Sequence, residues 1–210
     1  GQTETANLEF RNNDTYNITI DGTLIGTVYI TGGATVNING SGLINGNGAP
    51  TVIHVEGDNA TLNINPDEGC LEITGGNGGT QLNDHKNFPD YVSGGGILVQ
   101  RKGVKDDGTG GTGATLNLYN GRIYGNSAGS GAGIHIDRDC SFYMRYAEIT
   151  NNETKPGKYI DYKDGNKAKT APAHEAGGIY VAGSRANSPA YTNNEHAYIE
   201  GGIISNNHTS

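Results

Sequence analysis

Two carboxylates, Glu56 and Asp137, stand at equivalent places in two similar apolar segments, VIHVE (52–56) and GIHID (133–137). Each follows a histidine by two residues, His54 and His135. Paired carboxylates serve as acid and base in glycoside hydrolysis, and histidines can assist proton transfer. If the segments stack as strands two layers apart, their Cα atoms lie about 10 Å apart, near the ~6.5–9.5 Å separation of carboxyl groups in inverting glycosidases. Polysaccharide hydrolysis or elimination is therefore one candidate chemistry.

The elements that carry these residues belong to a repeat. One phrase, in which apolar residues alternate with polar ones before a Gly/Asn turn, recurs from Tyr16, Gly33, Asn59, Gly113, Cys140 and His196. Alternation with period two indicates short strands. The unit repeats about every 25 residues where nothing is inserted, which is typical of one solenoid coil. We predict an all-β chain: one single-stranded parallel β-helix domain over 1–210, with about six three-strand coils beginning near Leu8. The general rule for parallel crossovers makes it right-handed.

Each coil contributes three predicted strands. First strands are expected at 27–31, 52–56, 96–100, 133–137 and 178–182; second strands at 34–38, 60–64, 114–118 and 141–145; third strands at 42–46, 71–75, 121–126, 148–152 and 202–207. The first strands direct their apolar pairs inward, from Val28/Ile30 to Ile179/Val181. Asparagines that follow the third strands should stack as a ladder at one corner, and they are Asn47, Asn126, Asn152 and Asn206 or Asn207.

The outer face of the first strands is the predicted site. Its two outward columns read Tyr29, His54, Leu98, His135, Tyr180 and Thr31, Glu56, Gln100, Asp137, Ala182. Insertions at 77–93, 101–113, 153–176 and 183–195 adjoin these strands and should wall the same face, as loops on a binding face do. Predicted ligand-binding residues are Tyr29, His54, Gln100, Arg101, Lys102, His135 and Tyr180. Further loop candidates are Asp84, His85, Lys86, Tyr91, Lys105, Asp106, Asp107, Tyr159, Tyr162 and His174. The second-strand face carries only hydroxyls and amides, and no site is predicted there.

Composition narrows the classes of partner and cofactor. The net charge is −8 and the pI about 5.1, which disfavours nucleic acid and anionic membranes. No run of 18 apolar residues occurs, so no membrane span is predicted. Cys70 and Cys140 fall on different strands and should be free thiols, and no zinc spacing is present. No cofactor or metal is predicted, although DRD (137–139) and KDDGTGG (105–111) leave calcium open as an alternative.

The repeat resembles a known family. The segments GGGILV (94–99), GAGIHI (131–136) and GGIYV (177–181), followed by IYGN (123–126), ITNN (149–152) and IISNN (203–207), resemble the repeats of polymorphic-outer-membrane-protein-like bacterial surface proteins. Those proteins belong to the pectin-lyase-like superfamily, so the resemblance implies a right-handed parallel β-helix and an extracellular or cell-surface location. GSGLINGNG (40–48) is similar to a polygalacturonase-type coil, but Asn45 stands where that family has Asp. That family's Asn-Thr-Asp, Gly-His-Gly and Arg-x-Lys motifs do not occur.

The leading functional hypothesis is a non-enzymatic extracellular bacterial surface module, an adhesin or glycan-binding β-helix. Its partner would be a host or microbial glycan or a surface protein. The alternatives are a polysaccharide hydrolase or lyase using Glu56 and Asp137, and a structural stalk. The last coil carries no recognisable cap, and solenoids normally protect such edges. We therefore expect a fragment of a longer surface protein, with end-to-end contact between the C-terminal coil and another domain or copy.

Overall fold

The chain folds as a parallel β-solenoid. The computed structural model describes residues 1–67, 69–78, 82–83, 94–103, 112–161, 167–171, 176–182 and 196–210. Three long sheets contain only parallel pairs. Sheet 1 comprises Leu8–Phe10, Val28–Ile30, Ile53–Glu56, Ile97–Gln100, Ile134–Ile136 and Ile179–Val181; sheet 2 comprises Thr15–Thr19, Thr35–Asn39, Thr61–Ile64, Thr115–Leu118, Ser141–Met144 and His196–Ile199; sheet 3 comprises Thr3–Thr5, Thr23–Ile25, Leu43–Asn45, Glu72–Thr74, Arg122–Tyr124, Glu148–Thr150 and Ile203–Ser205.

In the three long sheets each strand pairs with its equivalent in the neighbouring coil, which confirms the predicted parallel β-helix. Because each β-strand alternates faces, equal registers stack the inward residues in continuous columns. In sheet 1 Ile53 pairs with Val28 on one side and with Ile97 on the other. The interior columns are fully buried through the middle coils and form one core. Stacking thus supplies the apolar burial that a single coil cannot provide.

The sequence predicts the middle strands correctly, but the prediction is wrong for the first strand of the chain and for the burial of the last coil. The first strand is Thr3–Thr5, ahead of the predicted start near Leu8. In the last coil Val181 is 39% exposed, although it was predicted as an interior residue. Among the described residues no strand packs beyond that coil, so its apolar residues Ile199, Ile203 and Ile204 are exposed as well.

Two smaller sheets flank the solenoid. One is parallel and follows sheet 3 around a corner, with strands Ser127–Ala128, Glu153–Thr154 and His208–Thr209. The other is built from insertions, with strands Leu82–Asn83, Gly157–Asp161 and Lys167–Ala171. The last two pair as an antiparallel hairpin. In the described ranges no helix is long and apolar enough to cross a membrane.

Tight turns make the corner between sheets 1 and 2. Ala34, Ala60 and Cys140 each donate a backbone hydrogen bond to the carbonyl three residues earlier. Gly32 lies in one such turn with a φ of 64°, and a Cβ there would collide with the Arg11 carbonyl oxygen. The residues that leave these corners point inward and are small; they are Ala34, Ala60, Ala114 and Cys140, all buried. Cys140 therefore fills an alanine position, and both cysteines are free as predicted, with Cys70 exposed.

A buried asparagine ladder follows sheet 3. Asn126 donates from Nδ2 to Oδ1 of Asn152 at 3.0 Å, and Asn152 donates in the same way to Asn207 at 3.0 Å. Asn152 is completely buried. The prediction is confirmed for these three residues and wrong for Asn47, which is exposed and has a φ of 51°. Asn47 lies two coils before Asn126, and in the coil between them Gly76 holds the equivalent position, where its backbone amide donates to Oδ1 of Asn126 at 3.0 Å.

Candidate functional site

The middle outward column of sheet 1 exists as predicted. Its members pair in one register through successive coils, and they are Tyr29, His54, Leu98, His135 and Tyr180. All five are half-buried. The rings of Tyr29 and His54 lie 5.2 Å apart, and those of His135 and Tyr180 lie 4.9 Å apart. Aromatic and imidazole rings thus cover both ends of the column, with Leu98 between them.

The second outward column is only partly exposed. Glu56 pairs with Gln100, and Asp137 follows in the next coil, where its backbone amide donates to the Val99 carbonyl. This confirms the predicted order of the acid pair. Thr31 and Ala182, at the two ends of the column, are buried. Thr31 is covered by Lys102, whose Nζ lies 3.3 Å from its hydroxyl.

Asp137 is engaged in structural contacts through both of its carboxylate oxygens. Its Oδ2 accepts from Nε of Arg101 at 3.2 Å and from the Arg101 backbone amide at 3.4 Å. Its Oδ1 accepts from the Arg138 amide at 2.8 Å. The Arg101 side chain is 7% exposed and also binds Asp139, with 3.4 Å between Nη1 and Oδ2. The carboxylate that would hold a catalytic water therefore neutralises a buried guanidinium and closes a turn.

Glu56 is engaged at the other end of the acid pair. The Tyr29 hydroxyl donates to its Oε2. Burial, and then this bond to Glu56, raise the pKa of Tyr29 above its ordinary value. The Arg11 guanidinium lies over the Tyr29 ring, 5.4 Å from its centroid. Tyr29 is thus fixed as a neutral hydrogen-bond donor with one ring face covered by a cation.

His54 is held in its neutral form. Burial lowers the pKa of His54, while the charge of Glu56 and a hydrogen bond with Gln100 oppose this shift less strongly. A neutral imidazole is the form that accepts a proton or packs against an aromatic ring. Its contact with Tyr29 favours the packing role in this structure.

Lys102 and Arg101, both predicted as ligand-binding residues, are brought to this face but lie in ion pairs. Nζ of Lys102 is 2.7 Å from Oδ2 of Asp58. This bond raises the pKa of Lys102 and lowers that of Asp58. Lys102 and Thr112 exchange two backbone hydrogen bonds at the base of the insertion 101–113. The two cations therefore anchor the insertion to the solenoid.

Strands from two of the predicted insertions pair with each other. Leu82–Asn83, from insertion 77–93, pairs in parallel with Gly157–Asp161, from insertion 153–176. Tyr159 lies on the second of these strands. Other loop candidates lie outside the described residues, namely Asp84, His85, Lys86, Tyr91, Lys105, Asp106, Asp107, Tyr162 and His174. The insertion 183–195 lies outside them too.

The calcium alternative has little support from the described geometry. Asp137 and Asp139 of DRD both bind Arg101, so their oxygens already face a cation. KDDGTGG (105–111) lies outside the described residues. Within the part of the chain that the structure describes, no three His, Cys, Asp or Glu side chains cluster as metal ligands would.

Sequence reasoning missed a feature on the outer face of sheet 2. The side chains of Asn17, Asn37, Asn63 and Asn117 form a second amide ladder, in which each Nδ2 donates to the preceding Oδ1 at 2.7, 2.7 and 2.8 Å. The signal is present in the sequence as TYN (15–17), TVN (35–37) and TLN (61–63 and 115–117). The repeat aligns these asparagines, but the hydrogen bonds between them are seen only in the structure.

Comparison with known proteins gives no assignment: no protein-family model, no curated protein and no solved structure matches the chain.

Proposed function

We propose that this chain is a non-enzymatic binding module of an extracellular bacterial surface protein, with its ligand face on the outside of sheet 1. The ligand would be a glycan or a surface protein. The resemblance to pectin-lyase-like surface repeats supports the location and the class. The solenoid supplies a rigid, extended frame on which successive coils present their side chains at a constant spacing.

The engagement of Asp137 carries the non-enzymatic part of the proposal. An acid–base pair needs carboxyl oxygens that can reach a substrate or a water molecule. Both oxygens of Asp137 accept hydrogen bonds from the protein. Two of these three bonds come from the buried Arg101. Glu56 accepts the Tyr29 hydroxyl. These contacts favour a structural role for the two acids over the hydrolase or lyase alternative.

The aromatic column supports the binding part. Tyr29 and Tyr180 stand near opposite ends of sheet 1, each against a histidine ring. Aromatic rings bind the apolar faces of sugars and protein side chains, while a hydroxyl offers a directed hydrogen bond. Paired insertion strands lie in the segments before two of the sheet 1 strands. A ligand lying along the column would contact several coils at once.

Retention on a glycan array of neutral and charged glycans tests this proposal. The wild type is compared with a Tyr29→Ala/Tyr180→Ala variant and with a Glu56→Gln/Asp137→Asn variant, each checked for folding by circular dichroism. We expect retention by the wild type and the acid variant, and at least a tenfold loss in the tyrosine variant. Equal retention by the wild type and the tyrosine variant would contradict a ligand face on sheet 1.

A further inference from the structure

The outer face of sheet 2 presents an unbroken polar lattice. Its first column contains Thr15, Thr35, Thr61, Thr115 and Ser141, and its second contains Asn17, Asn37, Asn63, Asn117 and Tyr143. Neighbouring coils are about 4.8 Å apart, so the second column extends over about 24 Å as far as Tyr198. None of these side chains is charged, in a chain whose net charge is −8.

The ladder leaves part of the hydrogen-bonding capacity of its amides unused. A primary amide has two N–H donors and an oxygen that accepts two bonds. In the ladder Asn37 and Asn63 each use one donor and accept one bond from the next asparagine. One N–H and one lone pair remain on each, repeated from coil to coil. The ladder also holds the amides in fixed orientation, which lowers the entropy lost when a ligand binds.

A stacked pair of tyrosine rings continues the second column of the lattice. The rings of Tyr143 and Tyr198 are nearly parallel, with 4° between their planes and 5.9 Å between their centroids. Tyr198 is 61% exposed. The Tyr143 hydroxyl donates to Oε2 of Glu200 at 2.6 Å, which fixes that ring. The exposed Tyr198 ring, stacked on Tyr143, thus adjoins a row of paired donors and acceptors.

A shallow polar depression lies at the opposite side of the lattice, at the corner with sheet 1. It is lined by Asn13, Gly32, Gly33, Thr35, Asp58 and Asn59. Thr35 belongs both to this depression and to the first column of the lattice. The polar surface therefore extends past the flat sheet and offers side chains from a second direction.

We infer that the outer face of sheet 2 binds an uncharged polysaccharide, independently of the ligand proposed for sheet 1. Sugar hydroxyls donate and accept, which matches the free N–H and lone pair of each ladder amide and the threonine hydroxyls. The apolar face of a pyranose ring matches the exposed ring of Tyr198, which Tyr143 supports by stacking. The absence of charge among the lattice side chains favours a neutral chain over an acidic one, which the net negative charge of the protein would repel.

Affinity gel electrophoresis of the chain tests this inference, with mixed-linkage β-glucan, xylan or galactomannan in the gel and polygalacturonate as the acidic comparison. The first variant is Tyr198→Ala. The second, Thr35→Val/Thr61→Val/Thr115→Val, keeps the β-branched shape and removes three hydroxyls. Tyr180→Ala, in the last strand of sheet 1, reports binding at that face, and Tyr124→Ala on sheet 3, outside both proposed faces, is the matched control.

We expect at least one neutral polysaccharide to retard the wild type and Tyr124→Ala equally, with about tenfold weaker retardation of Tyr198→Ala. The triple valine variant should be weakened as well, and polygalacturonate should have no effect. Failure of all three neutral polysaccharides to retard the wild type would overturn the inference. Retardation lost in Tyr180→Ala but kept in both sheet 2 variants would overturn it too, while leaving the sheet 1 proposal intact.

Discussion

The guanidinium of Arg101 binds the carboxylate of Asp137, with 3.2 Å between Nε and Oδ2, and is itself nearly buried. Removing one partner of a buried ion pair leaves an uncompensated charge, which costs about 3 kcal/mol or more. Arg101→Met should therefore lower the free energy of unfolding by about 3 kcal/mol in chemical denaturation. This variant keeps most of the aliphatic volume of the side chain. The loss of stability therefore measures the unpaired carboxylates of Asp137 and Asp139 rather than a cavity.

The exposed pair of Lys102 and Asp58 provides the control for that experiment. Both side chains are more than a third exposed, and exposed pairs contribute little to stability. Lys102→Met should change the free energy of unfolding by less than about 1 kcal/mol. Equal losses in the Arg101 and Lys102 variants would contradict the structural role assigned to Asp137.

The two asparagine ladders should differ in their contribution to stability. Asn152 is buried and bonded to Asn126, Asn207 and the Ile123 carbonyl, so Asn152→Ala strands several buried groups. We expect a loss of about 3 kcal/mol, against about 1 kcal/mol for Asn63→Ala in the exposed ladder of sheet 2. Thermal and urea unfolding of the two variants measure this difference. A smaller loss for Asn152→Ala than for Asn63→Ala would refute the burial argument.

The two thiols should react at very different rates. Cys70 is exposed, whereas burial raises the pKa of Cys140 to about 12, so this thiol is neither accessible nor ionised. Iodoacetamide at pH 8 should modify one cysteine in the native chain and both in denaturant, as mass spectrometry would show. Two fast-reacting thiols in the native chain would contradict the position of Cys140 in the alanine column.

Cys140→Ala supplies the control for the labelling experiment. Since Ala34, Ala60 and Ala114 fill the equivalent positions, the substitution should cost at most about 1 kcal/mol. The variant should show one modified cysteine both in the native chain and in denaturant. An unfolded variant would mean that the sulfur atom packs in a way that its neighbours in the column do not.

His54 should make the chain sensitive to acid. Burial lowers its pKa in the folded state, so the unfolded chain binds this proton more readily. The resulting stability is fully present above the ordinary pKa of about 6.5 and is lost as the pH falls through the folded value. An NMR titration of the His54 imidazole should give a midpoint below 6.5. His54→Phe, which keeps a ring against Tyr29, should reduce the loss of stability between pH 7 and pH 5. A midpoint at or above 6.5 would contradict the burial of this side chain.

The sequence predicts the solenoid because period-two alternation, repeat length and turn residues all act locally. Val28/Ile30 and Ile53/Val55 alternate in a way that only a strand with one buried face explains, and equal repeats force equal registers. The outward column from Tyr29 to Tyr180 follows from the same alternation and the same registers. The burial of Val181 does not follow from this alternation, because it depends on whether another coil packs against the residue.

Side-chain partners are the part that the repeat does not determine. Nothing in the spacing of Glu56 and Asp137 indicates that Arg101 and Tyr29 would bind them, because both contacts join different coils. The same holds for Asn47, which lies at the expected spacing but is exposed, because Gly76 in the next coil has no side chain to continue the ladder. The ladder on sheet 2 is a further case: the repeat predicts a row of outward amides but not that they bond to one another.

Release of products from polysaccharides tests the central claim, binding without turnover, most directly. Wild type and Glu56→Gln/Asp137→Asn are incubated with a panel of neutral and acidic polysaccharides, and reducing ends and unsaturated products are measured over time. We predict that neither protein releases products above the level of a buffer blank. Product release by the wild type that is absent from the double variant would contradict the account and make the outer face of sheet 1 an active site.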